Sequence, residues 1–342
     1  MPVTSPRPFI SVLLCAHLAG NRDYLKEAME SLALQTLARD KFEVLLVKDF
    51  TDPEIDGRAA NLGFLRVLCP PGPLAGKILA GYKAGRGEVF TPLDYDDRFV
   101  PERLQVVYDA FSANPDLGYL HDGIECIDEY GHRISRGLSP VFRMMDFSRK
   151  CVTICDSEKE RTSPRLGFSR PDFHGMSLRR PVVAYSLPYL SRIQSAVDTL
   201  FFNAGWTFPL SVQVEPRKLY QYRLHVNNTS LALSGASGDL LQLRRDWRRR
   251  MRQDYAVILE MIREGDRKEL QRDFELRTFS DDVLSVIRDA QAGQKEIWKI
   301  GSVLPYHIHR TNLSPLMLYT TILLALGIVA RPVARAVATM GE

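Results

Sequence analysis

Short continuous apolar runs recur along the first half of the chain, separated by segments whose apolar residues fall at helical spacing. Residues 9–15, 42–47, 65–68 and 89–93 are such runs, each suited to a strand buried on both faces. Between the first two, residues 22–37 place Leu25, Ala28, Met29, Leu32 and Leu34 close to one helical stripe. Residues 73–84 and 101–113 read as further helices, each with a proline near its first turn, where a missing N–H is harmless. Strand and helix in this alternation predict an α/β domain with a mostly parallel sheet.

After Tyr119 the rhythm changes. Residues 119–127 are strand-like and Asp128-Glu129-Tyr130-Gly131 signals a turn. Residues 136–171 show weak periodicity with several Ser and Pro, the pattern of a long loop that is either a functional lid or disordered. Residues 240–291 are helical in composition. Residues 313–330 are almost all apolar or small and are followed by Arg331 and Arg335. A helix of that run is about 27 Å long, just short of a bilayer core. It can span a thinned bilayer, lie in the interface, or pack as a buried terminal helix. Residues 1–8 carry too short an apolar run for a signal peptide.

Composition adds three limits. With 342 residues, 45% of them hydrophobic, the chain can bury a large core and a second helical region. Its net charge of +4 gives no electrostatic case for nucleic acid. Five scattered cysteines read as a reduced, cytosolic chain, and Cys151 and Cys155 lack the second Cys/His pair of a structural zinc site. The basic run around Trp247, from Arg244 to Arg252, is either a solvated helix paired with Asp239, Asp246 and Asp254 or a contact for anionic headgroups. No RNA-recognition motif accompanies it.

Chemistry concentrates at two predicted strand ends. Asp49 follows residues 42–47, and Asp94, Asp96 and Asp97 follow residues 89–93. In open α/β sheets ligands bind beyond the carboxyl ends of the strands. Three carboxylates in four residues repel one another, and a divalent cation held by hard oxygen ligands relieves that repulsion. A solvated acidic turn capping the next helix is the other reading. Two other motifs fail. The stretch from Gly72 to Ile78 is one residue short of a P-loop and lacks its final hydroxyl, and Gly81, Gly85 and Gly87 do not form a dinucleotide fingerprint.

The order of these segments resembles glycosyltransferase family 2, the inverting type with a GT-A (nucleotide-diphospho-sugar transferase, Rossmann-like) fold. The opening strand through Ala16-His17 resembles the family's first strand, and Tyr24-Leu25-Lys26-Glu27-Ala28 with Ser31-Leu32 and Gln35-Thr36 resembles its first helix. The stretch from Gly81 to Glu88 leads, as in the family, into Leu93-Asp94-Tyr95-Asp96-Asp97, its Asp-x-Asp region. Asp198-Thr199-Leu200 through Ala204-Gly205-Trp206, and Tyr222-Arg223 through His225 to Ser230, are similar to two later family segments.

The resemblance implies an inverting, metal-dependent transferase that moves a sugar from a nucleoside-diphosphate sugar to an acceptor hydroxyl. On that pattern Asp198 is the general base. His17, Asp49, Lys77, Asp94 and Asp96 bind the donor, and Asp96, Asp97 and His225 hold Mg2+ or Mn2+. His174, Gly175, Met176 and Trp206 lie on the acceptor side. A strand-end role for His17, a turn into a helix for His174-Gly175-Met176 and core packing for Trp206 are the structural alternatives. Lys48-Asp49 replaces a usual acidic pair. Ile78 and Leu79 replace an Arg-Asn pair, so that Lys77 either supplies the positive charge or is a solvated helix residue. Val197 replaces a Glu before the base.

The expected organisation is a GT-A domain over residues 1–235 and a helical region over 236–342. Residues 1–115 would be the nucleotide-sugar half and 116–235 the acceptor half. The apolar segment 313–330 motivates a lipid-linked or glycolipid acceptor at the cytoplasmic face of a membrane. Two other classes compete. A nucleotidylyltransferase opens with a glycine-rich basic loop, which Ala16-His17-Leu18-Ala19-Gly20 matches poorly, and would release pyrophosphate. A non-catalytic scaffold of the same fold would not hydrolyse the donor.

Overall fold

The computed structural model describes residues 7–134, 150–162, 174–225, 238–275 and Thr278. The chain divides into two compact units. The larger, residues 1–136 and 144–266, contains every element named below. In the smaller unit the described part is a helical stretch over 268–275. The apolar segment 313–330 and, within 136–171, residues 136–149 and 163–171 lie outside the described residues. Among the described residues no helix is long and apolar enough to cross a membrane.

Four strands form the parallel part of the sheet: β1 (Ile10–Ala16), β2 (Phe42–Lys48), β3 (Leu65–Leu68) and β4 (Val89–Asp94). β1 lies between β2 and β4, and β3 pairs outside β2. All seven residues of β1 and of β2 are buried, as the continuous apolar runs require. Alternation divides them between two layers. Ile10, Val12 and Leu14 share one core with Leu25, Ala28, Met29 and Leu32 of α1 (Arg22–Ala33), Ile55 and Ala59 of α2 (Pro53–Asn61), and Leu104, Val107 and Phe111 of α4 (Arg103–Ala113). Leu13 faces the other way, onto Gly81 of α3 (Leu74–Ala84), where a Cβ would meet Leu13 Cδ2 at 2.9 Å. α2 escaped the periodicity reading. Its signals are the Asp52 side chain, which accepts from the Glu54 and Ile55 amides, and Pro53 directly after it.

The second half extends the sheet beyond β4. β8 (Met176–Arg179) is antiparallel to β4 and to β6 (Leu117–Ile127). β6 runs parallel to β9 (Ser211–Arg223), which also pairs with the short strands β5 (Arg98–Phe99) and β7 (Val152–Ile154). The described sheet thus has nine strands, in the order β3-β2-β1-β4-β8-β6-β9-β5 with β7 beside β9. Arg179 closes β8, and α6 (Arg180–Leu190) starts at the next residue. Four-residue α5 (Lys159–Thr162) follows β7, and α7 (Val197–Thr207) precedes β9.

The helical region opens with α8 (Gly238–Glu264). The Arg run lies on this helix, and Arg249 pairs with Asp246 at 3.5 Å. Asp254 does not join that surface pairing. It is fully buried, and its carboxylate accepts the backbone amides of Gln194, Ser195 and Ala196. An inward carboxylate at this spacing gives no sequence signal, because its partners lie about sixty residues away. Cys151 and Cys155 are both free and exposed.

Candidate functional site

The carboxyl ends of β2, β1 and β4 stand side by side, with Cys15 opposite both Val47 and Asp94. Two strand spacings, about 10 Å, separate the end of β2 from the end of β4. Beyond β2, Asp49 accepts a hydrogen bond from Lys77 Nζ at 2.8 Å and another from the Leu18 amide at 2.9 Å. The Asp49 and Lys77 side chains are only 8% and 6% exposed, so Lys77 is not a solvated helix residue. Burial raises the Asp49 pKa, but the Lys77 hydrogen bond and charge and the Leu18 N–H outweigh it and hold the carboxyl below its ordinary value. Lys48 takes no part. It points into the opposite layer, where it pairs with Asp56 at 2.5 Å.

The loop after β1 is held against this pair. Arg22 donates to the carbonyls of Gly20 and Leu18 and pairs with Asp52, while its guanidinium lies 3.8 Å from the Phe50 ring centre. His17 is exposed, and its ring meets Tyr95 edge-on at 4.7 Å. The segment after β1 therefore bridges Asp49 on one side and the acidic turn on the other.

Because Lys77 is so enclosed, removing its charge leaves Asp49 buried and unpaired. Lys77→Met is expected to cost about 3 kcal/mol of stability, read from urea unfolding at neutral pH. Asp49 has a lowered native pKa, so its contribution is present above the unfolded-chain value and lost as pH falls through the native one. The variant should show a correspondingly weaker acid dependence.

At the end of β4, Asp94, Asp97 and His174 each offer a ligand atom, all within 4.8 Å of one another. His174 Nε2 lies 3.3 Å from Asp97 Oδ2 and 3.6 Å from Asp94 Oδ2. Asp97 is 1% exposed and doubly held, by the Tyr220 hydroxyl at 2.9 Å and the Arg223 amide at 2.8 Å. Burial pushes its carboxyl well above the usual range. His174 opposes that shift, the Asp96 and Asp94 carboxylates add to it, and the Arg223 N–H opposes it. Asp96 instead faces His225, whose Nε2 is 2.9 Å from Asp96 Oδ2. The donor set expected for the metal, Asp96, Asp97 and His225, is thus divided. Asp97 joins Asp94 and His174, and the Asp96–His225 pair adjoins them. Two carboxylates and an imidazole suit a divalent cation such as Mg2+ or Mn2+, and the proton-retaining environment of Asp97 is one that a cation would relieve.

Arg223 locks this turn in place and is itself fully buried. Its Nε donates to the Asp96 carbonyl at 2.8 Å, one terminal nitrogen to the Glu129 carbonyl at 2.9 Å, and the other to Glu27 of α1 at 2.5 Å. Its guanidinium also lies over the Tyr24 ring at 4.4 Å. Tyr220 has no distinguishing local signal in the sequence, and Glu27 stands in the helix segment used for the resemblance but drew no role from it. Arg223 stands in a segment used for the resemblance, yet its role was not foreseen.

The four positions expected on the acceptor side separate. His174 belongs to the acidic cluster. Gly175 has φ +80°, and a Cβ there would come 2.6 Å from the Asp122 carbonyl, so the bend that presents His174 requires glycine. Met176 is fully buried in β8, and Trp206 is 1% exposed and packs on Phe202 within α7. Side chains so enclosed have no surface to offer an acceptor. Asp198 occupies the first turn of α7, partly exposed, with the Thr199 amide 2.6 Å from its Oδ1. α7 packs on β6 through Phe202 and Gly205 against Tyr119, and it ends where the chain turns into β9. β9 then runs toward Asp97. The start of α7 lies about 14 Å from its end along the helix.

Residues 11–171 match the model of Glycosyl transferase family 2. No curated protein matches the chain. Among solved structures it is similar to S. aureus TarS, with TM-score 0.54 and 16% identity over 80% of this chain and 44% of that one. The chain thus spans less than half of TarS. A TarS 1–349 structure in complex with UDP gives TM-score 0.54 and 17% identity, covering 80% and 72% of the two chains. One in complex with UDP-GlcNAc gives TM-score 0.55 and 16% identity, covering 80% and 73%. At these identities the likeness speaks for the fold.

Proposed function

Since the chain carries a glycosyl transferase family 2 region in a GT-A-like fold, we propose that it moves a sugar from a nucleoside-diphosphate sugar to an acceptor hydroxyl, with inversion at the anomeric carbon. The observation that carries this is the convergence of Asp94, Asp97 and His174 within 4.8 Å, beside a buried Asp49–Lys77 pair. In this reading Asp49 accepts a hydrogen bond from the nucleobase, with Lys77 holding its carboxylate ionised and aimed. Asp94 orients the ribose or the sugar. Asp94, Asp97 and His174, with Asp96 adjoining, hold a divalent cation, whose charge offsets that developing on the departing diphosphate. Asp198 takes the proton of the acceptor hydroxyl as that oxygen attacks.

UDP is the first nucleotide to test, because similar structures hold UDP and UDP-GlcNAc. Titration calorimetry should show UDP bound at least about tenfold more tightly with Mn2+ than without it, and Asp94→Asn should abolish that difference. Failure of every nucleoside diphosphate to bind, with or without metal, would sink the reading. Release of pyrophosphate from a nucleoside triphosphate would favour nucleotidyl transfer instead. The acceptor is a glycan or a lipid-linked sugar. The second choice is supported by the apolar sequence of 313–330 alone, and partition of a radiolabelled product between organic and aqueous phases separates the two.

A further inference from the structure

Asp254 is a charged side chain with no exposure, on a helix distant in sequence from every residue of the site. Its carboxylate receives three consecutive backbone amides, Gln194 at 3.0 Å on Oδ1, and Ser195 and Ala196 at 2.7 and 2.8 Å on Oδ2. These amides directly precede α7, and Asp198 is two residues beyond the last of them. The N-cap residue of α7, Ala196, has no side-chain acceptor to offer. The Asp254 carboxylate instead ties down the N-cap amide and the two amides before it, fixing how the chain enters α7, and its charge also suits the positive end of the helix.

The grip continues along α8. Met261 accepts a hydrogen bond from Tyr185 at 3.0 Å, Glu264 accepts from Tyr189, and Glu260 takes both terminal nitrogens of Arg192 at 2.7 Å. At the far end a Cβ on Gly265 would come 2.0 Å from Thr207 Cγ2, so the end of α8 passes directly over the end of α7. Asp254 to Gly265 and Ala196 to Thr207 are segments of equal length touching at both ends. This half of α8 thus runs alongside α7 in the same direction.

We propose that Asp254 is a positioning residue. It fixes the first turn of α7, and so the direction of the Asp198 carboxylate, making the helical region part of the transfer machinery. The proposal rests on the assignment of Asp198 as the base.

The test uses the full chain, Mn2+ and UDP-GlcNAc, reading UDP release, which needs Asp198 to activate water as it would an acceptor. Asp254→Asn puts an amide NH2 where two N–H donors converge. It should lower kcat about tenfold or more with the donor KM unchanged, since a small misplacement of a catalytic group is costly. It should also speed amide hydrogen exchange at Gln194, Ser195 and Ala196. In an Asp198→Asn background the same change should cost nothing further, because both act on one step. Asp254→Ser, which retains one acceptor, should fall between. A fully additive loss in the double variant, or unchanged exchange at the three amides, overturns the proposal. So does failure of both single variants to fold, which would make Asp254 a stability residue. A wild-type chain that releases no nucleoside diphosphate from any nucleotide sugar sinks the transferase reading instead, and the exchange experiment alone then judges the contact.

Discussion

Asp198→Asn should lower sugar transfer by about 10²–10⁴-fold while leaving nucleoside-diphosphate affinity unchanged. Asn preserves the size of the side chain and an oxygen for the Thr199 amide, which Asp198 Oδ1 receives at 2.6 Å. It cannot take up a proton from the attacking hydroxyl. The donor contacts assigned to Asp49, Lys77, Asp94 and Asp97 lie just beyond β2, on α3, and on β4 and its following turn, none of which the substitution touches. A fall in kcat at constant donor dissociation constant is therefore the signature, measured by steady-state kinetics beside calorimetry. A variant with full transfer rate would remove Asp198 from the chemistry. One that also lost donor affinity would place it in the donor pocket.

The second large effect lies beneath the site. Arg103 and Asp122 are both fully buried and pair at 2.9 Å. Arg103 also donates to Thr91 Oγ1 at 2.6 Å and to the Met176 carbonyl at 3.2 Å, and its guanidinium lies 4.0 Å from the Phe99 ring centre. Asp122 Oδ1 has no hydrogen-bond partner among the described residues. Burial raises the Asp122 pKa to about 7, with Arg103 opposing the shift. The folded chain therefore keeps this proton to about pH 7, whereas the unfolded chain releases it near the ordinary value of 3.8. Between those values the unfolded state binds fewer protons, so the contribution of Asp122 to stability is full below the lower value and lost as pH rises to the upper one.

Arg103→Met should cost about 3–5 kcal/mol, because it strands a buried carboxylate. The loss should be smaller at pH 5, where Asp122 is protonated, than at pH 8. Asp122→Asn should remove the downward slope of stability between about pH 4 and pH 7. Urea unfolding across that range checks both. A loss for Arg103→Met that is the same at both pH values would mean that Asp122 does not carry the proton.

What could be read from the sequence follows the range over which each signal acts. β1, β2 and β4 were legible because strands buried on both faces must be continuously apolar. The acidic turn was legible because its charges are adjacent in the chain. β9 was not, because Glu215, Arg217 and Lys218 interrupt its apolar positions and its partner β6 lies ninety residues away. β8 was hidden by its four-residue length. His174 was singled out for the wrong neighbours. Its approach to Asp94 and Asp97 comes from β8 lying beside β4, a pairing that no local pattern announces. Tyr220 and Arg223 were missed as site residues for the same reason, since each meets Asp97 across more than 120 positions.

Arg223 ties Glu27, near the beginning of the chain, to the turn at Asp96, across a separation of 196 residues in the first case and 127 in the second. During synthesis β1 to β4 can pair as soon as they emerge, since their contacts are comparatively local. The acidic turn must then wait, its carboxylates facing one another, until β9 has been made and threaded beside β6. Contacts this remote in sequence form slowly, because loop closure has to precede any return from them. The packing that fixes the acidic turn is therefore a late product of assembly. A nascent chain halted before Ser211 would carry Asp94, Asp97 and His174 but lack Tyr220 and Arg223, the two groups that hold Asp97 in place.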